Sequence, residues 1–257
     1  MTLRRDLARL LFPTVTTVGL LAAAGLPIAA EAAPHHGGSA AAASTAPRAT
    51  SGATLKADYR FKGNLKSSIK GAPRLHDVGA GNFFHRERVP GEGRAQVLGF
   101  PSGNGLKVGT SGLVPSGHYS VVMEFRLLTA GTEEYARILN PTLPADDNDN
   151  GLYLYGDHLV WYDGAPVAGL PGPFAPKTYV EIAFTRGSKG QLHTYVDGTP
   201  DISYADNDGQ AVIQNHLLRF FVDNSNGEAS KGAVARIRLY NDALSAKRVA
   251  KIYAAGH

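Results

Sequence analysis

The segment Asp146-Asp147-Asn148-Asp149-Asn150-Gly151 gathers hard oxygen ligands within six residues. Side-chain oxygens at Asp146, Asn148 and Asn150, a glycine at 151, and Asp157 eleven residues beyond Asp146 follow the spacing of a calcium loop. Ca²⁺ takes roughly six to eight oxygens and needs a sharp turn in the backbone. Calcium is therefore the cofactor the sequence suggests, with Asp146, Asn148, Asn150 and Asp157 as its ligands. The flanking helices of an EF-hand are missing, however, and an Asn/Asp/Gly cluster between strands is equally the composition of a solvated turn. Asp206-Asn207-Asp208 and Asp223-Asn224 are smaller clusters of the same kind.

A second chemistry is the stacking of sugar rings on aromatic side chains, with the hydroxyls held by polar groups alongside. Tyr153, Tyr155 and His158 fall on one face of a predicted hairpin, and Tyr179, His193 and Tyr195 on one face of another. These six form the expected ligand-binding set. The same side chains also suit cross-strand pairing that stabilises a sheet with no ligand at all.

Covalent and acid–base catalysis find less support. Two carboxylates a few ångströms apart are the usual apparatus of glycoside hydrolysis, and one strand presents two acids on the same face only from alternate positions. Glu133 and Glu134 are adjacent and would face opposite ways, and Glu181 stands alone among Tyr179, Ala183 and Thr185. Gln191-Leu192-His193 with Tyr195 is a partial echo of a lyase set, and equally the polar face of a hairpin. No Gly-x-Ser-x-Gly elbow, Walker loop or His-Glu-x-x-His run occurs.

The elements that must hold these residues are strands. From Tyr119 to Leu127, apolar residues at the odd positions alternate with Ser120, Glu124 and Arg126, a half-buried strand. Val180, Ile182 and Phe184, then Leu192, Thr194 and Val196, predict a hairpin that ends in an Asp197-Gly198 turn. Leu152 to Tyr155 and Leu159 to Tyr162 predict another, with Leu152, Leu154, Leu159 and Trp161 on its buried face. Leu218, Phe220 and Val222, and Ala233, Ala235, Ile237 and Leu239, supply further strands. Ser245 to Ala255 reads as a helix capped by Ser245. Many short strands and no βα alternation predict an all-β fold, a two-sheet antiparallel sandwich with a short C-terminal helix.

Several runs carry a resemblance. Gly232-Ala-Val-Ala-Arg-Ile-Arg-Leu-Tyr-Asn-Asp-Ala-Leu-Ser245 resembles the closing strand and helix cap of laminin-G-like jelly rolls in the concanavalin A-like lectin/glucanase superfamily. Tyr179-Val-Glu-Ile-Ala-Phe-Thr-Arg186 with Gly190-Gln-Leu-His-Thr-Tyr-Val-Asp-Gly198 is similar to that family's central hairpin. Tyr59 to Leu65 resembles its opening strand, and Leu98 to Leu106 the approach to its first long core strand. The resemblance implies a jelly roll, and modules of this kind often bind one calcium ion at rim loops. It implies little about activity, because the fold hosts lectins, adhesion modules, hydrolases and lyases. The chain departs from the family pattern at Ala235-Arg236 and at Lys66-Ser67, where acidic residues are common, so no role tied to those acids carries over.

Arg4, Arg5 and Arg9 followed by an uncharged stretch from Leu10 to Ala30 read as an export signal spanning 1–32, cut near Ala33. An uncleaved anchor is the competing reading, which Pro13, Pro27 and three threonines weaken. Residues 33–54, rich in Ala, Ser, Thr, Gly and Pro, read as a linker, and 55–257 as the folded domain. With 43% hydrophobic and 19% charged residues, the chain can bury a core. Having no cysteine, it excludes a disulfide framework and thiolate chemistry. Its formal net charge of +4 is spread out, with no basic run interleaved with aromatics, so nucleic acid is not an expected partner. The expectation is a secreted, non-catalytic module for an extracellular glycan or surface protein, with no stable membrane span after signal cleavage. A polysaccharide-cleaving enzyme and a purely structural or adhesion module are the alternatives.

Overall fold

The computed structural model describes residues 52–142, 150–222, 228 and 230–257. The predicted signal segment 1–32, and all of the predicted linker up to residue 51, lie outside these residues.

In chain order the strands are β1 (Leu55–Tyr59), β2 (His76–Val78), β3 (Phe83–Val89), β4 (Gly93–Phe100) and β5 (Gly105–Gly109). They continue with β6 (Tyr119–Leu127), β7 (Ala136–Asn140), β8 (Gly151–Tyr155), β9 (His158–Tyr162) and β10 (Pro166–Pro171). The last are β11 (Val180–Arg186), β12 (Gln191–Val196), β13 (Thr199–Ala205), β14 (Leu217–Phe220) and β15 (Gly232–Tyr240), followed by helix α1 (Ala246–Gly256). The first sheet has the order β13-β12-β11-β6-β15-β4-β3, with β1 also on β15, and the second β10-β9-β8-β7-β14-β5-β2. Every pairing is antiparallel. This is the expected two-sheet sandwich.

Period-two patterning explains why the sheets face each other. In β6 the alternate residues Tyr119, Val121, Met123, Phe125 and Leu127 enter the core, as do Val180, Ile182 and Phe184 of β11 and Leu152, Leu154, Leu159 and Trp161 of β8 and β9. Burying each such side chain contributes about 1.5–3 kcal/mol. Between the sheets, Phe221 stacks on Phe100 at 4.3 Å and meets Phe125 edge-on, while Trp161 packs on Phe184 at 5.5 Å. The β12–β13 turn is the predicted Asp197-Gly198, both residues at positive φ (48° and 77°), as a two-residue hairpin of the twist-matching type requires.

Two strand readings are corrected. Ala233 and Ala235 do not share a face with Ile237 and Leu239: a bulge between Val234 and Arg236 shifts the register, and Val234 enters the core instead. The bulge lies where β15 changes neighbours, since its first half pairs with β4 and its second with β1. Val222 lies beyond β14, which ends at Phe220, because Phe221 adopts a left-handed φ of 62°. Helix α1 matches its prediction, with the Ser245 side chain accepting from the Arg248 backbone N–H at 3.4 Å.

Candidate functional site on the outer face of the second sheet

On β8 and β9 the residues between the core positions point away from the other sheet. Arg137 of β7 pairs across to Tyr153 of β8, and Tyr153 to Val160 of β9, so all three lie on the outer face. Arg137 is fully buried. Its guanidinium lies 4.5 Å from the centre of the Tyr153 ring, its Nη1 donates to the Asn150 carbonyl at 3.1 Å, and its Nη2 pairs with Glu228 Oε2 at 3.2 Å. Tyr135, just before β7, meets Tyr155 at 4.6 Å and Tyr153 edge-on at 5.7 Å. Tyr135, Tyr155 and Tyr162 are each half-exposed. Burial, and then the neighbouring Tyr155, Tyr162 and Glu228, push the Tyr135 hydroxyl above its ordinary pKa, so it is a hydrogen-bond donor at neutral pH. The result is a tyrosine surface resting on a buried Arg137–Tyr153 layer.

The six residues expected to bind ligand do not form one surface. Tyr153, Tyr155 and His158 belong to the second sheet, and Tyr179, His193 and Tyr195 to the first, facing outward on opposite sides of the sandwich. Tyr153 is 1% exposed and supports the face without presenting a ring to solvent. Tyr155 is the member that does present one. His158 sits at the β8–β9 turn, its Nδ1 2.9 Å from the Gly169 carbonyl and its Nε2 3.1 Å from Asp157. Tyr195 is 5% exposed, packed among Ala183, Leu244 and Val249 beneath α1. His193 is half-exposed beside it on β12, so the Gln191, His193 and Tyr195 echo of a lyase set does not assemble around an accessible tyrosine. Tyr179 donates to Glu87 Oε1, an acid also held by Arg126 at 2.7 Å, and borders an open groove of about 540 Å³ with Arg88, Gly91 and Lys177.

The four-ligand calcium set is also divided. Asp146 and Asn148 lie outside the described residues. Asn150 immediately precedes β8 and Asp157 follows it, so a five-residue strand separates them. At ~3.3 Å per residue that distance far exceeds what one ion with ~2.4 Å bonds can bridge. Asp157 therefore cannot share an ion with Asn150, whose Nδ2 donates to Gln210 Oε1. Asp206 is engaged by Arg186 at 2.6 Å and by the Gln210 and Ala211 backbone N–H groups, and Asp223-Asn224 lies outside the described residues. Among the described residues no group of three acidic or histidine side chains is placed to hold a metal.

Sequence reasoning missed a second cluster, on the outer face of the first sheet. Glu181 of β11 lies directly opposite Glu124 of β6, and Arg236 of β15 opposite Glu124 on its other side. Glu181 Oε2 is paired with Arg238, and Arg236 is committed to Asp58 through two bonds of 2.8 and 3.0 Å. Oε1 of Glu124 and Oε1 of Glu181 are buried without a hydrogen-bond partner. Burial, reinforced by Glu92 and Glu181 and opposed by Arg238 and Arg236, pushes the Glu124 carboxyl up to about 7. Two carboxylates do converge here, then, against the sequence reading of Glu181 as solitary. With Glu124 5% and Glu181 3% exposed, they are closed to a polysaccharide. The β3–β4 turn shuts one side, for Gly91 approaches α1 so closely that a Cβ there would stand 1.8 Å from the Gly256 carbonyl oxygen.

A family model described as the concanavalin A-like lectin/glucanases superfamily matches residues 100–250. No curated protein sequence matches the chain. Among solved structures, Domain 4 of AbnA, an extracellular arabinanase from Geobacillus stearothermophilus in complex with arabinotriose, aligns with TM-score 0.55 and 18% identity over 79% of this chain and 100% of that one. The binding domain of Paraclostridial Mosquitocidal Protein 1 (TM-score 0.57, 13% identity) covers 77% of this chain, and the receptor binding domain of a botulinum neurotoxin C/D mosaic (0.58, 13%) covers 78%. The chain spans about half the length of these two toxin structures, 51% of each. These likenesses establish the fold. By the match over residues 100–250, and by the sandwich that carries it, the chain belongs to the concanavalin A-like lectin/glucanases superfamily.

Proposed function

We propose that this is an exported, non-catalytic carbohydrate-binding module whose ligand lies on the outer face of the second sheet, with sugar rings on Tyr135, Tyr155 and Tyr162. The observation that carries the reading is the trio of half-exposed tyrosines held from beneath by the buried Arg137–Tyr153 contact. A rigid aromatic surface loses little entropy on binding, and sugar C–H faces stack on it while Tyr hydroxyls donate to ring oxygens. The arabinotriose complex of the arabinanase domain supports the same class of ligand on this fold. Export rests on the basic start and uncharged stretch of residues 1–32, and calcium on the oxygen-rich segment 146–151; both belong to the proposal.

The test is affinity electrophoresis of the folded chain in gels containing neutral and acidic polysaccharides, arabinan and polygalacturonate among them. Retardation by at least one polysaccharide is expected. Tyr155→Ala should weaken it about tenfold, ~1.4 kcal/mol, with little change in melting temperature. Migration unaffected by every polysaccharide, or retardation undiminished in Tyr155→Ala, overturns the reading.

A further inference from the structure

The same outer face continues past the tyrosines, and there its chemistry changes. His76 of β2 lies directly opposite Lys107 of β5, and Lys107 directly opposite Arg219 of β14. Three basic side chains thus stand in one transverse row on three neighbouring strands, within ~10 Å. Like charges directly opposed destabilise a sheet, so the opposition of Lys107 and Arg219 is costly unless something answers it. Among the described residues no carboxylate pairs with any of the three. The Arg219 guanidinium, half-buried, donates from Nη1 to the Thr142 carbonyl at 3.2 Å, and burial alone lowers its pKa. His76 and Lys107 are exposed. The nearest acid along β2, Asp77, turns to the other side with Leu106, where Asn82 Nδ2 donates to it at 2.8 Å. Arg219 also pairs with Asn140 of β7, which leads across to β8, where Gly151 pairs with Tyr162 of β9. A linear chain laid across the strands from β2 to β9 would therefore touch His76, Lys107 and Arg219 first and tyrosine last, over five strand spacings or ~24 Å.

We propose that the ligand is an acidic polysaccharide, its carboxylate or sulfate groups held by His76, Lys107 and Arg219 and its rings by the tyrosines. The inference rests on the proposed carbohydrate function for its tyrosine half, while the cation row is an independent observation. Lys and Arg bind such groups by charge and by forked hydrogen bonds, and the attraction is screened by salt.

The experiment compares polygalacturonate, dextran sulfate and neutral dextran as titrants of the full chain, with Lys107→Ala, His76→Ala/Lys107→Ala and Tyr155→Ala as variants. Binding of at least one acidic polymer should exceed that of neutral dextran about tenfold or more at low salt and fall steeply as NaCl is raised. Lys107→Ala should weaken it several-fold, and the double variant further with a shallower salt dependence, while both melt no lower than the parent because a like-charge opposition is relieved. A preference for polygalacturonate identifies carboxylate as the partner group, and one for dextran sulfate identifies sulfate; either supports the proposal. Acidic polymers binding no better than dextran, or acidic binding unchanged in the double variant, overturns it. Loss in Lys107→Ala with no loss in Tyr155→Ala leaves the cation row standing and removes the stacking surface; the reverse pattern removes the row and keeps the module.

Discussion

The two outer faces of the sandwich are built from similar material and put to opposite uses. On the first sheet, charges are gathered and then enclosed: Asp58 with Arg60 and Arg236, Glu181 with Arg238, and Glu87 with Arg126, beside an apolar patch under α1. On the second, Arg137 is buried beneath tyrosines, but the surface above it stays open, and among the described residues Lys107 and Arg219 pair with no acid. A face whose charges answer one another contributes stability and specifies register. A face whose charges and rings lack answers is where a ligand gains most by binding.

The contrast can be broken most forcefully at Arg238. Arg238→Ala removes the cation from Glu181 and leaves Glu124 and Glu181 opposed in a buried site, a change of the kind that costs about 3–5 kcal/mol. In a domain of this size that is a fall of roughly 10 °C in melting temperature. Polysaccharide binding by the surviving folded protein should be unchanged, because the two faces lie on opposite sides of the core. Arg238→Met with Glu181→Gln should recover much of the loss. Calorimetry decides: if the single variant melts with the parent, the closed face is not held by its ion pairs.

A smaller effect is expected at Glu124. Its carboxyl ionises near 4.5 in the unfolded chain and near 7 in the folded one, so between those values the folded state holds the extra proton. The stability due to this group is fully present below pH 4.5 and lost as pH rises through about 7. Glu124→Gln keeps the neutral form at every pH. It should raise stability above pH 7 by about 2 kcal/mol and remove this part of the decline between pH 5 and 7, with little change at pH 4. Urea denaturation at pH 4, 5.5 and 7.5 gives the comparison; parallel curves for parent and variant would show that Glu124 titrates normally.

How far these faces could be foreseen follows from what alternation does and does not encode. Period two told which residues of β6, β8, β9, β11 and β12 leave the core, because only the core face must be apolar. It could not tell what covers the residues that leave. Tyr155 and Tyr153 share a parity, yet one is half-exposed and the other stacked on Arg137. Tyr195 looked exposed until α1 lay over it. Tyr162 was within reach, since it continues the outward parity of His158 and Val160. The Glu124–Glu181 opposition, and the row from His76 to Arg219, depend on which strands become neighbours and in what register, and these partners are remote in sequence. Strand β3, Phe-Phe-His-Arg-Glu-Arg-Val, escaped notice because it ends its sheet and carries charge at three successive positions, Arg86, Glu87 and Arg88, so that neither face reads as apolar.

The smallest expected effect lies at the rim of the open face and concerns Asp157. It occupies the β8–β9 turn, its side chain about half exposed and 3.1 Å from the imidazole of His158, one strand length from Asn150. If calcium is held at segment 146–151, Asp157 cannot contribute to its shell; an exposed Asp–His pair contributes at most about 1 kcal/mol of its own. Asp157→Ala should therefore melt within about 2 °C of the parent. The difference between calcium and chelator buffers should be the same in both proteins. A calcium-dependent stabilisation present in the parent and absent in Asp157→Ala would mean that the ion bridges the two ends of β8, which the extended strand between them forbids. That result would bring Asp157 beside Asn150 and rule out an extended β8, and with it the open face that β8 carries.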